Sequence, residues 1–255
     1  MRFASLGSGS RGNSLVVEVG KSRVMLDCGF SIKGTLERLG RLGLRPEDLT
    51  AIVVTHEHGD HVSGVFRFAT RFALPVYLTH GTRSKMSCGS GRVPVCHLLD
   101  TASVFSIGEI EVQAFPVPHD AREPVQYAFT DGKHRLGVLT DAGSITPHIV
   151  EVLDACDALV LECNHDAELL AASSYPAALK RRILGSYGHL ENRQAAALLT
   201  QLQTRRLQHV LAAHLSEENN RPELARLALA CALNCSPDWI GVASQEGGFA
   251  WRELA

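Results

Sequence analysis

Short hydrophobic runs bounded by glycine or polar residues recur along the chain, and each run predicts a strand buried in a sheet. Between some of these runs, apolar residues recur three positions apart, as Leu36, Leu39 and Leu42 do, which predicts helices with one face on a core. The predicted strands lie at 2–6, 15–19, 23–28, 51–54, 75–78, 104–107, 110–115, 126–130, 135–140, 158–161, 209–213, 239–243 and 248–251. The predicted helices lie at 32–42, 65–72, 144–153, 192–204 and 222–233, and the segment at 176–184 has no assignment.

One polar segment, THEHGDHVSG, joins the predicted strand at 51–54 to the helix that follows. Its side chains therefore lie at the carboxyl edge of a sheet, where open α/β sheets bind their ligands. Imidazole binds Zn, Fe, Ni or Cu, and carboxylate binds Mn or Mg as well. Four such groups within six residues cannot all reach one tetrahedral ion, so the turn predicts two metal ions. These four groups are His56, His58, Asp60 and His61.

Further candidate residues lie at the ends of other predicted strands. Asp27 ends an otherwise apolar strand, where an unpaired carboxylate would be costly. Asp141 ends a similar run about a hundred residues later, and the two Asp-small-Gly endings suggest an internally repeated βα half. His119 lies between prolines, which restrict its backbone, and His214 directly follows the run at 209–213.

The loop at 7–14, GSGSRGNS, is small and flexible, and its glycines let backbone N–H groups approach an anion closely. Ser8, Ser10 and Asn13 are therefore candidates for contact with an anionic substrate. The loop is not a P-loop, because it lacks the Gly-Lys-Ser/Thr ending and leads into a strand. A tight hairpin loop of this kind needs no function, and the sequence leaves both interpretations open.

The pattern His56-x-His58-x-Asp60-His61 resembles the signature of the metallo-β-lactamase-fold hydrolases. The resemblance implies an α/β fold, a four-layer αββα sandwich of two mixed β-sheets flanked by helices, formed as one domain by residues 1–255. It also implies two divalent metal ions, Zn²⁺ or Mn²⁺. The implied first site is His56, His58 and His119, the second is Asp60, His61 and His214, Asp141 bridges the two, and Asp27 orients a ligand or the bound water.

A second resemblance concerns catalysis. The segment at 188–190 is similar to one in the ribonuclease Z group, where a histidine lies near the scissile phosphate, which implies that His189 contacts phosphate or protonates the leaving group. A helix N-cap is the alternative role for His189, and His165 is a weaker candidate for the same neighbourhood. Asp60 is the other residue with an implied catalytic role. The motifs at 7–14, 162–166, 188–190 and 214–220 together resemble the YycJ/WalJ subgroup, which is exonuclease-like, acts on DNA and is linked to mismatch repair.

The composition mainly argues against certain classes of protein. A net charge of −2 over 255 residues gives no global basic excess for nucleic acid, and solvated helix faces account for most local clusters such as Lys180-Arg181-Arg182. Seven scattered cysteines without a Cys-x-x-Cys pair favour a reducing compartment. The sequence has no apolar N-terminal segment and no apolar run of about 18 residues. A cytoplasmic protein without a membrane partner is therefore expected, and a secreted antibiotic-degrading enzyme is not.

The favoured hypothesis is a dinuclear metal-dependent phosphodiesterase, a DNA exonuclease whose partner is nucleic acid, with DNA favoured over RNA. Coordination lowers the pKa of water to about 7 and so provides a nucleophile. A thioester hydrolase of glyoxalase II type shares the ligands, but no basic cluster suited to glutathione follows Trp239. An RNA-processing nuclease and a non-catalytic metal-binding module are further alternatives. The sequence settles neither the metal, nor the polarity of digestion, nor the oligomeric state, for which a homodimer stays open.

Overall fold

The structure, a computed structural model, describes residues 1–87 and 93–255. The strands are β1 (Arg2–Gly7), β2 (Ser14–Val19), β3 (Ser22–Leu26), β4 (Ala51–Val53), β5 (Val76–Thr79), β6 (Cys96–Leu99), β7 (Val104–Ile107), β8 (Ile110–Pro116), β9 (Val125–Thr130), β10 (Arg135–Leu139), β11 (Ala158–Glu162), β12 (His209–Ala213), β13 (Gly241–Val242) and β14 (Phe249–Glu253). The helices are α1 (Ile32–Arg41), α2 (Gly59–Val62), α3 (Val65–Phe72), α4 (His80–Lys85), α5 (Pro147–Leu153), α6 (Ala167–Ala172), α7 (Ala177–Ile183), α8 (Asn192–Leu199) and α9 (Pro222–Leu233).

The described strands form two sheets of seven strands each. The first sheet has the order β14-β1-β2-β3-β4-β5-β6, and the second has the order β13-β12-β11-β10-β9-β8-β7. Both are mixed, because β3 pairs with β2 in antiparallel and with β4 in parallel orientation, and β10 does the same with β9 and β11. Helices cover the outer faces, so the predicted four-layer αββα sandwich is confirmed.

Apolar side chains fill three layers between these elements. Phe3, Tyr127 and Phe129 belong to the core between the two sheets, whereas Phe68 and Leu198 belong to the two outer cores beneath the helices. Strands such as β4 and β11 are thus covered on both faces, and every residue in them is buried. This double burial explains why the sequence shows continuous hydrophobic runs in place of an apolar-polar alternation.

Two predicted helices have different bounds in the structure. The helix predicted at 144–153 begins at Pro147, because Thr146 provides the N-cap and Pro147 is favoured in the first turn. The helix predicted at 192–204 ends at Leu199. The chain then turns away, since the N–H of Gln203 donates to Oδ1 of Asp154 at 2.7 Å.

The segment at 84–96 has no assignment from sequence, and residues 88–92 lie outside the described part of the chain. Beyond them Cys96 begins β6, an edge strand on which His97 stacks against Tyr77 with ring centroids 4.5 Å apart. Among the described helices, none combines the length and apolar character that a membrane crossing requires.

Candidate metal centre

The polar turn after β4 folds into the short helix α2. His58 is the N-cap of this helix, Asp60 lies in its first turn and His61 in its last. His56 and His61 are 1% and 0% exposed, so their imidazoles face the interior of the protein. The turn therefore presents nitrogen and oxygen donors inward, where water does not compete for them.

Neighbouring backbone fixes the position of this turn. Backbone N–H groups of Asn13 and Cys28 donate to the carbonyl oxygens of Asp60 and His61 at 2.8 and 2.9 Å. Gly29 makes this approach possible, because a Cβ at that position would lie 1.8 Å from the carbonyl oxygen of Asp60. The hairpin β2–β3 thus acts as a support for the metal-binding turn.

Three predicted ligands come from the second sheet, each from the end of a different strand. His119 follows β8, Asp141 follows β10 and His214 follows β12. Asp141 and His214 adopt left-handed backbone conformations, with φ of 53° and 54°. Non-glycine residues avoid this region, and where it occurs it often marks a functional site. Here it turns both side chains towards the first sheet.

The first predicted site is assembled in the structure. His56, His58 and His119 each offer one ring nitrogen, and these atoms lie within 4.8 Å of one another. Nε2 of His119 is 3.2 Å from Nδ1 of His58. The other ring nitrogen of His119 contacts the carbonyl oxygen of Gly188 at 3.0 Å, which fixes the ring orientation.

The second predicted site is also assembled. The ligand atoms of Asp60, His61 and His214 lie within 4.8 Å of one another, and those of His56, His61 and Asp141 do so as well. Asp141 therefore lies between the two sites, with its Oδ2 atom 3.1 Å from Nε2 of His61. Burial alone would raise the pKa of Asp141, but His214 and His61 hold it well below its usual range.

Buried atoms without hydrogen-bond partners test whether metal ions fit. Nε2 of His56 and Oδ2 of Asp141 are buried and have no hydrogen bond of acceptable geometry. Such atoms cost about 1–3 kcal/mol each when nothing binds them. Burial lowers the pKa of His56 well below its usual value, which favours the neutral imidazole that coordinates metals. The donor set of imidazoles and carboxylates fits divalent ions such as Zn²⁺ or Mn²⁺.

Asp27 supports this centre through hydrogen bonds to Thr55 and His61. Its carboxylate is 3% exposed and accepts hydrogen bonds from the N–H of Thr55 at 2.9 Å and from Oγ1 of Thr55 at 2.8 Å. Nδ1 of His61 lies 2.8 Å from Oδ2 of Asp27, so Nε2 of His61 is aimed at the predicted second site. Burial raises the pKa of Asp27 despite these contacts. The geometry supports the role predicted for Asp27.

Comparison with known proteins decides the family. Residues 22–210 match the family described as beta-lactamase superfamily domain. The chain is 37% identical over 235 residues to the exodeoxyribonuclease YycJ of Bacillus anthracis, across 91% of this chain and 89% of that protein. It is 33% identical over 245 residues to the exodeoxyribonuclease WalJ of Streptococcus pneumoniae, across 94% and 91%. The chain belongs to the YycJ/WalJ group of the metallo-β-lactamase superfamily.

Solved structures agree with the fold of this superfamily. The metallo-β-lactamase fold protein YhfI of Bacillus subtilis superposes with a TM-score of 0.76 at 16% identity, over 98% of both chains. The short form of human tRNase Z superposes with a TM-score of 0.70 at 16% identity, over the whole of both chains. At this identity the likeness concerns the fold alone. Membership of a hydrolase superfamily confirms the prediction that the protein is an enzyme.

A buried glutamate beside the YycJ/WalJ centre was not among the predicted site residues. Glu162 ends β11, is 0% exposed, and accepts hydrogen bonds from the N–H of Ala142 at 2.9 Å and of Leu190 at 3.3 Å. Nδ1 of His189 lies 2.8 Å from its Oε1 atom. Burial lowers the pKa of His189, but Glu162 raises it to a net value above the usual one. An acid at the end of an apolar run, the signal that identified Asp27, also marks Glu162.

The glycine-rich loop of this YycJ/WalJ chain supports the centre. The Oγ atom of Ser8 accepts from the N–H of His214 at 2.9 Å, and Nδ2 of Asn13 donates to Oδ2 of Asp60 at 3.1 Å. Ser8 and Asn13 are each 7% exposed, and these contacts indicate that they position candidate ligands, while their contact with substrate stays a prediction. Ser10 is exposed and lines the cavity beside the centre.

The structure also bears on the roles predicted for His165 and His189. His165 is 1% exposed, does not line the cavity, and neither ring nitrogen has a hydrogen-bond partner, so the structure does not support a substrate contact. The alternative role of His189 as a helix N-cap is wrong, because Glu191 caps α8. His189 instead lines the cavity and stacks on His214 with ring centroids 5.4 Å apart.

The cavity above the centre has a volume of about 380 Å³, in the range of small-molecule sites. Its floor carries five of the polar residues described above. One wall of the cavity comes from α7 and from Tyr175, which lies two residues before it. The floor residues are His58, Asp60, Asp141, His189 and His214, and the wall residues are Tyr175, Leu179, Arg182 and Ile183.

Proposed function

We propose that the protein is a dinuclear metal-dependent phosphodiesterase that digests DNA from an end. The observation that carries the proposal is the convergence of seven imidazole and carboxylate groups, four of which line one cavity together with His189. Relatives that match most of the chain are named exodeoxyribonucleases, which supports a nucleic acid substrate and favours DNA over RNA. A volume of about 380 Å³ suits a single nucleotide or a strand end inside the cavity.

The ligand set suits an anionic substrate. One ion would be held by the three histidines of the first site and the other by Asp60, His61 and His214, with Asp141 shared. When bound, the ions would supply Lewis acidity and lower the pKa of a water to about 7. Two divalent cations would bind the anionic oxygens of a phosphodiester directly and stabilise the attacking and the leaving oxygen together.

His189 would act on the oxygen that leaves the phosphorus. Because Glu162 accepts the proton of Nδ1 at 2.8 Å, Nε2 is left on the side of the ring that lines the cavity. A protonated Nε2 can bind a phosphate oxygen or transfer its proton to the leaving oxygen. Proton transfer of this kind contributes about 10²–10⁴-fold to rate.

The test is a panel of end-labelled substrates with the metal-loaded protein. We expect cleavage of 5′-phosphorylated duplex DNA, slower cleavage of an RNA of the same sequence, and no turnover of hydroxyacyl-glutathione. For His189→Ala we expect kcat on DNA to fall by about 10²–10⁴-fold while both metal ions stay bound. The matched control is His148→Ala, because this histidine is partly exposed on α5 and does not line the cavity.

Three results would contradict the proposal. Turnover of the glutathione thioester without cleavage of any nucleic acid would favour the alternative enzyme. Faster cleavage of RNA than of DNA would reverse the substrate preference. Metal binding without hydrolysis of DNA, RNA or bis(4-nitrophenyl) phosphate would remove the phosphodiesterase activity altogether.

A further inference from the structure

The helix α7 lies at the mouth of the cavity without belonging to any core. None of its residues is buried, whereas most helices in proteins are stabilised by packing one apolar face. Polar contacts fasten it instead: Nζ of Lys180 donates to the carbonyl oxygens of Ala171 and Ser173 at 2.6 and 2.7 Å. The N–H of His189 donates to the carbonyl oxygen of Ile183 at 3.0 Å, which joins the end of α7 to a floor residue of the cavity.

The side of α7 that lines the cavity is apolar and carries an aromatic ring beside it. Leu179 and Ile183 lie one turn apart on this side, and Tyr175 precedes the helix. All three are partly exposed, so they remain available for contact. Apolar residues and candidate metal ligands that line the same cavity match the two parts of a nucleotide, a flat base and a charged phosphate.

The charged residue on this wall is already paired. Nε of Arg182 lies 2.5 Å from Oδ2 of Asp120, and the two charges offset each other. Asp120 therefore compensates part of the charge that Arg182 brings to this wall. The wall is suited to stacking more than to binding the sugar-phosphate backbone.

We propose that Tyr175, Leu179 and Ile183 form the subsite for the base of the nucleotide whose phosphate lies at the metal centre. The inference rests on the proposed function, because it requires a nucleic acid substrate. Stacking on an aromatic ring accepts every base, since each base has a π face. The subsite therefore holds the terminal nucleotide in place with little preference for sequence.

The experiment compares intact and abasic oligonucleotides in the metal-loaded protein. The DNA carries either normal nucleotides or tetrahydrofuran abasic residues at both ends of the labelled strand, so the polarity of digestion need not be known. For Tyr175→Ala on intact DNA we expect KM to rise by about 5- to 150-fold, the range measured when a stacking aromatic is removed. Wild type should show a similar rise on the abasic substrate, and Tyr175→Ala should add little to it there.

Two variants serve as controls. Tyr175→Phe keeps the ring and should keep KM within about 3-fold of wild type, because stacking needs no hydroxyl group. Tyr187→Ala removes a tyrosine that is 64% exposed and does not line the cavity, and it should behave as wild type.

Equal KM values of wild type on intact and abasic DNA would overturn the inference, and this arm needs no variant to fold. The inference would also be overturned if Tyr175→Ala raised KM on abasic DNA by the same factor as on intact DNA. Failure of the proposed function looks different, because wild type would then hydrolyse neither DNA nor bis(4-nitrophenyl) phosphate.

Discussion

The two sheets contribute to the centre in opposite ways. The first sheet supplies four of the seven candidate ligands from one turn between β4 and α3. The second sheet supplies the other three from the ends of β8, β10 and β12, which are far apart in sequence. A contiguous turn makes a recognisable motif, whereas single residues at separate strand ends do so only after the fold brings them together. Part of the site can thus be recognised from a short stretch of sequence, whereas the other part can be recognised only once the strand order is known.

Asp27 and Asp141 occupy equivalent positions in the two sheets but differ in their contacts. Each follows an antiparallel hairpin, β2–β3 or β9–β10, and each has a left-handed backbone, with φ of 57° and 53°. The carboxylate of Asp27 is satisfied by Thr55 and His61, whereas Oδ2 of Asp141 has no hydrogen bond of acceptable geometry. The same backbone thus serves a supporting residue in one half and a candidate ligand in the other.

The largest expected effect comes from Asp141→Asn. Asparagine tolerates the left-handed backbone, so the fold should be kept while the shared charge is lost. We expect kcat/KM on bis(4-nitrophenyl) phosphate to fall by more than about 10³-fold, because several kcal/mol of metal-dependent stabilisation is lost. Metal content should fall below two ions per chain. Two bound ions with activity within tenfold of wild type would contradict the assignment of Asp141.

A smaller effect is expected from Asp27→Asn. The amide has a single acceptor oxygen, so it cannot accept from the N–H of Thr55 and from Nδ1 of His61 at once, and the imidazole is held less firmly. Removing such a support costs about 10–100-fold in metal affinity or activity. Titration with Zn²⁺ in a competing chelator measures this loss. An effect as large as that of Asp141→Asn would show that the two aspartates do not differ in role.

The smallest effect concerns the turn of the second hairpin. Oδ1 of Asp131 accepts from the N–H groups of Lys133 and His134 at 2.9 and 2.7 Å. Burial works against ionisation here, but these hydrogen bonds lower the pKa of Asp131 below its usual value. A lowered pKa contributes stability above the unfolded value of about 3.9, and this stability is lost as the pH falls below it.

We therefore expect Asp131→Asn to lower the free energy of unfolding by about 1 kcal/mol at pH 7, because a charged acceptor becomes neutral. The difference from wild type should shrink between pH 5 and pH 3 in urea titrations of the metal-free protein. Asp100→Asn, in an exposed turn, is the control. A difference that does not change with pH would mean that the carboxylate charge of Asp131 has no role.

Sequence patterns predicted most of this molecule because two of its signals are local. Continuous hydrophobic runs reflect strands covered on both faces, and the turn at His56 concentrates four ligands within six residues. The direction in which a loop side chain points depends on the whole fold and cannot be predicted from the neighbouring sequence. Ser8 and Asn13 belong to a loop that looks suited to an anion, but the fold buries them against His214 and Asp60.

Two other features escaped sequence reasoning for related reasons. Glu162 carries the signal that identified Asp27, but only the fold places it beside His189. Hydrophobic periodicity predicts which face of a helix meets a core, and α7 meets none. The sequence pattern therefore predicted neither the helix α7 nor its position beside the cavity.

The isolation of α7 from the cores has a consequence for evolvability. Substitutions in this helix leave the packing between the two sheets intact, so selection can alter them with little penalty to folding. A chimera that exchanges residues 175–183 for those of another YycJ/WalJ protein should therefore fold as well as either parent. Divergence among such enzymes would concentrate in this helix while the cation-binding residues stay fixed.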